Sequence, residues 1–252
     1  MKIMSYLIVG ASSGLGRELA YVFASKGHNI IISSRDIKDL EAIKSDITNK
    51  FDGVSVQILP ADLNSPTDFI NKLKVKDKGL SDIEGAIFPV GGMFDEDGIY
   101  LDNNKVEKIL KTNFSSITLV ISELSKVFND NGKGLIIGFG SVSGLLGRKF
   151  NSHYAASKRA LESYFESLAA SQSNNNIKIQ FYILGYLETN LSFGKNLKLP
   201  KGSPKKLAEL VYKKKNLNFK KIYFPIWWSL IAFFLKIIPI NFLIRLIKNS
   251  KS

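Results

Sequence analysis

The chain is 252 residues long, enough for one large α/β core and too short for two domains of ordinary size, and its 45% hydrophobic and 23% charged composition argues against disorder. With no cysteine and only His28 and His153, disulfides and thiol chemistry are excluded, and a zinc or other transition-metal site lacks its usual ligands. The formal net charge of +13 is confined to the end of the chain: residues 1–194 hold 21 Lys/Arg against 21 Asp/Glu, while residues 195–252 hold 14 Lys/Arg and one acid, Glu209, a block that favours a membrane surface or a phosphate-bearing substrate over a nucleic acid.

The opening Met1-Lys2-Ile3-Met4-Ser5 runs straight into an apolar strand and lacks the separate apolar core and cleavage site of a secretion signal, so the expectation is a cytoplasmic protein. Short apolar runs then alternate with segments of helical period. Strands are predicted at Tyr6–Val9, Asn29–Ser33, Val54–Leu59, Gly85–Phe88, Leu135–Gly138 and Lys178–Ile183. Helices are predicted between them, around Leu15–Ser25, Ile37–Asn49, Pro66–Leu73, Asn104–Phe128 and Tyr154–Ser171. Repeated β-α units of this kind build an α/β doubly wound parallel sheet, here a single domain over residues 1–224. A Gly/Lys/Pro-containing loop at 194–204 precedes a last helix near Lys205–Lys215, and Ile222–Phe224 is open to two assignments, a seventh strand or the start of the tail.

The first turn, Gly10-Ala11-Ser12-Ser13-Gly14-Leu15-Gly16, follows a strand and opens a helix. Glycine removes the Cβ atoms that would block a pyrophosphate, and the helix start offers free N–H groups and a positive dipole end. The second strand ends Ile32-Ser33-Ser34-Arg35, with no acid to bind adenosine ribose hydroxyls. Ser34 takes that place and the Arg35 guanidinium suits a 2′-phosphate, which favours NADP(H) over NAD(H). Asp36 competes with that reading unless it caps the next helix. Further on, Tyr154-Ala155-Ala156-Ser157-Lys158 places a phenol and an ammonium one turn apart on one helix face, where the cation lowers the phenol's pKa toward neutrality.

Gly10-x-x-x-Gly14-x-Gly16, Asp62-Leu63, Asn113, Ser141 followed by Gly144, and Tyr154-x-x-x-Lys158 occur in that order, with Ser141 thirteen residues before Tyr154. In this the chain resembles the short-chain dehydrogenase/reductase family from Gly10 to Thr189. The resemblance implies a Rossmann-type fold, a nicotinamide cofactor and a homo-oligomer. It implies Tyr154 as proton donor, Ser141 holding the substrate carbonyl oxygen, Lys158 lowering the phenol pKa and binding nicotinamide ribose, and Asn113 holding a relay water. Asp62 and Leu63 would contact adenine, and Thr189 the carboxamide. Three departures stand out. The family's Asn-Asn-Ala-Gly is Pro89-Val90-Gly91-Gly92, which keeps glycine at the cofactor but loses the asparagine that ties the sheet; Pro-Gly is Leu184-Gly185; and Ser-Ser is Gly140-Ser141. His153 points about 100° away from Tyr154 on a helix and is read as a structural or peripheral substrate contact, and His28 as a surface residue.

Residues 225–252 form the tail. The uncharged run Ile222–Leu235 is shorter than the roughly 20 apolar residues of a membrane span, and beyond Pro225 it gives two amphipathic pieces separated by Pro239. One places Ser229, Ala232 and Lys236 on a shared face; the other places Asn241, Arg245 and Lys248 together. Trp227, Trp228, Phe233, Phe234 and Phe242 suit a headgroup boundary, the alternative being an element packed on its own domain or across a dimer. Phe224-Pro225-x-Trp227, Ile238-Pro239, Arg245 and Arg148-Lys149-x-Asn151 resemble a membrane-associated branch of the family. That branch includes the keto-reductase half of the decaprenylphosphoryl-ribose epimerase system, and the likeness implies a keto-sugar or other ketone on a lipid or polyprenyl phosphate. A soluble 3-oxoacyl-carrier or general ketone reductase is the competing enzyme reading. A non-catalytic nucleotide-binding scaffold is the third, opposed by the intact Ser141, Tyr154 and Lys158.

Overall fold

A computed structural model describes residues 4–76, 80–147, 150–172, 176–188 and 200–249. Seven parallel strands form one sheet in the order β3-β2-β1-β4-β5-β6-β7. The strands are β1 (Ser5–Val9), β2 (Asn29–Ser34), β3 (Val56–Pro60), β4 (Ile83–Phe88), β5 (Lys133–Ser141), β6 (Asn176–Leu184) and β7 (Lys220–Phe224). The helices are α1 (Gly14–Ser25), α2 (Ile37–Lys50), α3 (Pro66–Lys76), α4 (Asn103–Leu110), α5 (Ser116–Asp130), α6 (Ser152–Ser171), α7 (Pro204–Lys214), α8 (Trp228–Ile237) and α9 (Ile240–Asn249). Chain direction across the sheet reverses between β1 and β4, and a crevice opens there at the carboxyl ends of the strands.

Both faces of the sheet are covered, which is why the strands read as continuous apolar runs rather than alternating ones. All five residues of β1 are buried. Successive side chains still divide by face: Leu7, Val9, Ile31, Phe88, Ile136 and Phe181 pack with Phe128 and Phe165 of α5 and α6, while Tyr6, Ile8, Ile30, Ile32, Ile137 and Tyr182 pack with α1, α2 and α7.

One assignment left open by the sequence is settled, and three elements differ from the sequence expectation. The run Ile222–Phe224 is the end of a true seventh strand, with the edge lysine Lys221 paired to Glu162 at 3.0 Å and to Glu166 at 2.5 Å. Charged edge residues of this kind also discourage strand addition. The predicted helix Asn104–Phe128 is interrupted by a single π-helical turn, Lys111–Ser115, whose extra residue turns Asn113 inward until it is fully buried. Its carboxamide accepts from the Gly92 N–H at 2.8 Å and donates to the Gly92 carbonyl at 2.8 Å. The end of β4, which lacks its expected asparagine, is thus tied from the neighbouring helix instead. His28 is not a plain surface residue, because the turn before β2 folds its ring beside Tyr6 and Phe23, with Nε2 at 3.0 Å from the Tyr212 hydroxyl, and burial lowers its pKa.

The third difference concerns the tail. Trp228 belongs to the core on the α5/α6 side of the sheet, and Ala232 is buried with it. Ala232 therefore lies on the inner face of α8 rather than on a solvated polar face with Lys236. The outer face carries Leu230, Phe233, Phe234 and Ile237, all exposed, so α8 is apolar on two sides. It packs on β7 and on the short 3-10 turn Val142–Leu145 that follows β5. Among the described residues, no helix is long and apolar enough to cross a membrane.

Candidate active site

The crevice is a cleft of about 1280 Å³, above the roughly 300–1,000 Å³ of a drug-sized pocket and suited to an extended dinucleotide with a second ligand. At one end the chain leaves β1 through Gly10, whose φ is +84°, and both Gly10 and Ala11 N–H groups bond the Ser33 carbonyl at 2.7 and 3.0 Å. A Cβ on Gly16 would lie 2.0 Å from the Gly10 carbonyl oxygen, so the helix start can sit this close to the turn only with glycine there. Ser13 at the N-cap makes no side-chain bond to α1, which leaves the first N–H groups of the helix free for an anion. Ser12, Ser13, Gly14 and Leu15 all line the cleft. A pyrophosphate fits this cradle.

Next along the cleft, Asp36 accepts from the N–H groups of Lys38 and Asp39 at 2.9 and 3.3 Å. Its carboxylate is occupied in capping α2, while Ser34 and Arg35 line the cleft beside it. Asp62 accepts from Asn64 N at 2.9 Å, and Asn64 in turn accepts from the Thr112 hydroxyl at 2.8 Å. This chain of bonds fixes the Asp62-Leu63 turn against the π turn that follows α4. Asn64 and Thr112 escaped sequence analysis because neither falls in a recognisable motif.

The other end is built where β5 stops and α6 begins. Ser141, at the last position of β5, accepts from the Ser143 N–H at 3.1 Å and faces the cleft with Tyr154 and Lys158. The Lys158 ammonium donates to the main-chain oxygens of Val90 at 2.8 Å and Phe139 at 3.0 Å. A methyl group on Gly91 would stand 3.5 Å from Lys158 Nζ and 3.9 Å from Asn113 Oδ1, so these two side chains converge behind Gly91. Burial lowers the Lys158 pKa to about 8 and raises that of the Tyr154 phenol, with the neighbouring Ser141 side chain pulling the phenol down. Burial thus acts on the phenol against the direction expected from the sequence, and the ammonium is held by carbonyls. Thr189, Arg148 and Lys149 lie outside the described residues.

Sequence analysis also missed Asp97. It is fully buried, and its carboxylate meets His153 Nδ1 at 2.9 Å and the Tyr154 N–H at 2.8 Å. No local signal marks it, since it sits in an ordinary acidic loop, Asp95-Glu96-Asp97.

A doubly wound sheet, an uncapped helix start after a glycine turn, and a serine, tyrosine and lysine at the far end of one cleft define a nicotinamide-dependent oxidoreductase. The chain belongs to the short chain dehydrogenase family, whose model matches residues 5–199. The very-long-chain 3-oxoacyl-CoA reductase of Podospora anserina is 28% identical over 229 residues, covering 88% of this chain and 67% of that protein. The hydroxysteroid 11-beta-dehydrogenase 1-like protein B of Xenopus laevis is 29% identical over 230 residues, 88% of this chain and 77% of that protein. Among solved structures, the short-chain dehydrogenase from Sphingobium yanoikuyae in complex with NADPH has a TM-score of 0.79 at 22% identity, over 99% of this chain and 97% of that one. That last likeness is one of fold alone.

Proposed function

We propose that the protein is an NADP(H)-dependent reductase that converts a ketone to a secondary alcohol, with Tyr154 as general acid, on an amphiphilic substrate at a membrane surface. The observation that carries the chemistry is the convergence of Ser141, Tyr154 and Lys158 on one end of a dinucleotide-sized cleft. The nicotinamide, when bound, supplies the hydride to the carbonyl carbon. Tyr154 passes its phenolic proton to the carbonyl oxygen as that oxygen gains charge, and the Ser141 hydroxyl donates a hydrogen bond to it. Lys158 spends two of its three N–H donors on Val90 and Phe139, leaving the third for a nicotinamide ribose hydroxyl. Asn113 holds the water that returns a proton toward Tyr154. Gly10 through Gly16 would hold the pyrophosphate, Arg35 with Ser34 would take the 2′-phosphate, and Asp62 and Leu63 would border the adenine. Gly91 would lie against the nicotinamide half, and the family resemblance assigns its carboxamide to Thr189.

The membrane part of the reading rests on the tail. Leu230, Phe233, Phe234, Ile237, Ile240 and Phe242 are all exposed on α8 and α9, within a segment holding 14 basic residues and one acid. A ketone carried on a lipid or polyprenyl phosphate, such as a keto-sugar, fits that surface.

NADPH oxidation with acetoacetyl-CoA, and with a long-chain 3-oxoacyl ester in vesicles, tests the chemistry; Tyr154→Phe must abolish it. Activity retained in that variant refutes the general acid. Flotation with anionic phospholipid vesicles tests the surface. Because Trp228 is part of the core, truncation would confuse binding with unfolding, so the informative variant is Phe233→Asp with Phe234→Asp. Wild type must float and the double variant must not. A second reading is a 3-oxoacyl thioester reductase working away from membranes; the likeness to the very-long-chain 3-oxoacyl-CoA reductase of Podospora anserina supports its substrate class. Rapid turnover of acetoacetyl-CoA without vesicle binding selects it.

A further inference from the structure

The first turn of an α-helix carries N–H groups with no partner inside the helix, and they are usually met by the side chain of the N-cap residue. In α6 that residue is Asn151, which makes no side-chain cap and lies in the left-handed region at φ 64°. The bonds come from elsewhere. Asp97, 56 residues earlier in the loop after β4, accepts the His153 N–H at 3.1 Å on one carboxylate oxygen and the Tyr154 N–H at 2.8 Å on the other. Its main-chain oxygen accepts the Asn151 N–H at 2.5 Å, and Gly98 and Phe150 form an antiparallel bridge alongside. His153 Nδ1 closes the arrangement at 2.9 Å from the same oxygen that takes its own N–H. A carboxylate only accepts, so Nδ1 carries the proton in that contact.

We infer that Asp97 is the positioning residue of the active site: it fixes the height and direction of Tyr154 by holding the main chain at that residue, while His153 locks the carboxylate in place. The inference rests on Tyr154 being the general acid. The geometry explains why a charge is spent here. An N-cap serine or aspartate at Asn151 would satisfy the same donors, but it would move with the helix. Asp97 instead fastens the helix start to the loop leaving β4, and that loop also supplies Val90, which holds Lys158, and Gly92, which holds Asn113. One segment, residues 90–97, therefore sets the positions of Lys158, Asn113 and Tyr154 together.

A carboxylate can serve both backbone donors, whereas an amide in its place has one accepting oxygen and turns its NH₂ toward one of them. Asp97→Asn therefore frees at least one N–H. Asp97→Ala frees both. A displacement of about 1 Å at a reacting group costs on the order of 100-fold in rate, so Asp97→Ala should lose about that much in kcat, with Asp97→Asn recovering part of it. NADPH affinity by fluorescence titration should stay within about threefold in both, because Asp97 bonds Asn151, His153 and Tyr154, whereas the Gly10 cradle meets the other end of the loop, at Pro89 and Val90.

The assay is kcat per folded molecule, on whichever of the two probe ketones the wild type reduces, beside thermal melting and NADPH titration. A cap that only stabilises the fold lowers the melting temperature and leaves kcat per folded molecule unchanged, and that result overturns the proposal. If Asp97→Ala does not fold, Asp97→Asn decides alone: kcat within twofold of wild type sinks the inference, and a loss of about tenfold or more with unchanged NADPH binding supports it. An inactive wild type, or an active Tyr154→Phe, removes the reading beneath it instead. Full activity in the Asp97 variants with an inactive Tyr154→Phe removes the positioning role alone.

Discussion

A methyl group added at Gly185 probes how the C-terminal helices are held. Gly185 directly follows β6, and a Cβ there would lie 1.8 Å from Trp228 Nε1 and 2.4 Å from Cδ1. The indole has no room to yield: it is 4% exposed, crossed by Tyr186 at 6.0 Å and stacked on Trp227 at 4.6 Å. Gly185→Ala must therefore drive Trp228 from its seat. The loss resembles removal of a buried aromatic, about 3–5 kcal/mol, and for a chain of this size it lowers Tm by roughly 6–20 °C. Trp227 and Trp228 are the two tryptophans of the chain, so intrinsic fluorescence reports the event without a label. The emission of Gly185→Ala should shift to the red and its Tm should fall. A variant with the wild-type spectrum and melting temperature would show that Trp228 does not occupy this seat.

Lys158 gives a prediction in pH. Its pKa falls from 10.5 to about 8 on folding, so between those values the unfolded chain still holds a proton that the folded chain has released, and stability rises with pH across that window. The full gain is on the order of 3 kcal/mol, from about 1.4 kcal/mol per pKa unit. Guanidinium unfolding at about pH 7 and about pH 10.5 should show this gain in wild type relative to Lys158→Met; parallel curves would mean the ammonium is not desolvated. Arg35→Ala should weaken NADPH binding about tenfold or more and leave NADH binding unchanged, since a charge-assisted bond contributes about 1.5–3 kcal/mol. Equal losses for both cofactors, measured by fluorescence titration, would remove Arg35 from the phosphate site.

The parallel sheet was legible because buried strands are written as uninterrupted apolar runs, and the glycine turn because its chemistry is local. Asp36 is instructive: its two possible roles could not be separated in the sequence, and the two N–H groups it receives in α2 make it a cap. Features set by long-range approach stayed hidden. Asp97 acquires meaning only when folding carries it to α6, and the π turn at Asn113 leaves the helical period almost unbroken. The tail shows the limit of periodicity most directly. Aromatic residues at Trp227, Trp228, Phe233 and Phe234 look alike in sequence, yet one is walled into the core and two are fully on the outside. The glycine at 185 leaves room for one of them, Trp228, whose indole fills the space a Cβ would take.

That contact also ties the exposed C-terminal helix to the border of the cleft. Trp228 of α8 sits against Gly185, which lines the cleft, while the helix also lies against the turn that follows Ser141 and shows its opposite side to whatever surrounds the protein. One helix therefore separates the exposed Phe233 and Phe234 from the peptide that borders the cleft.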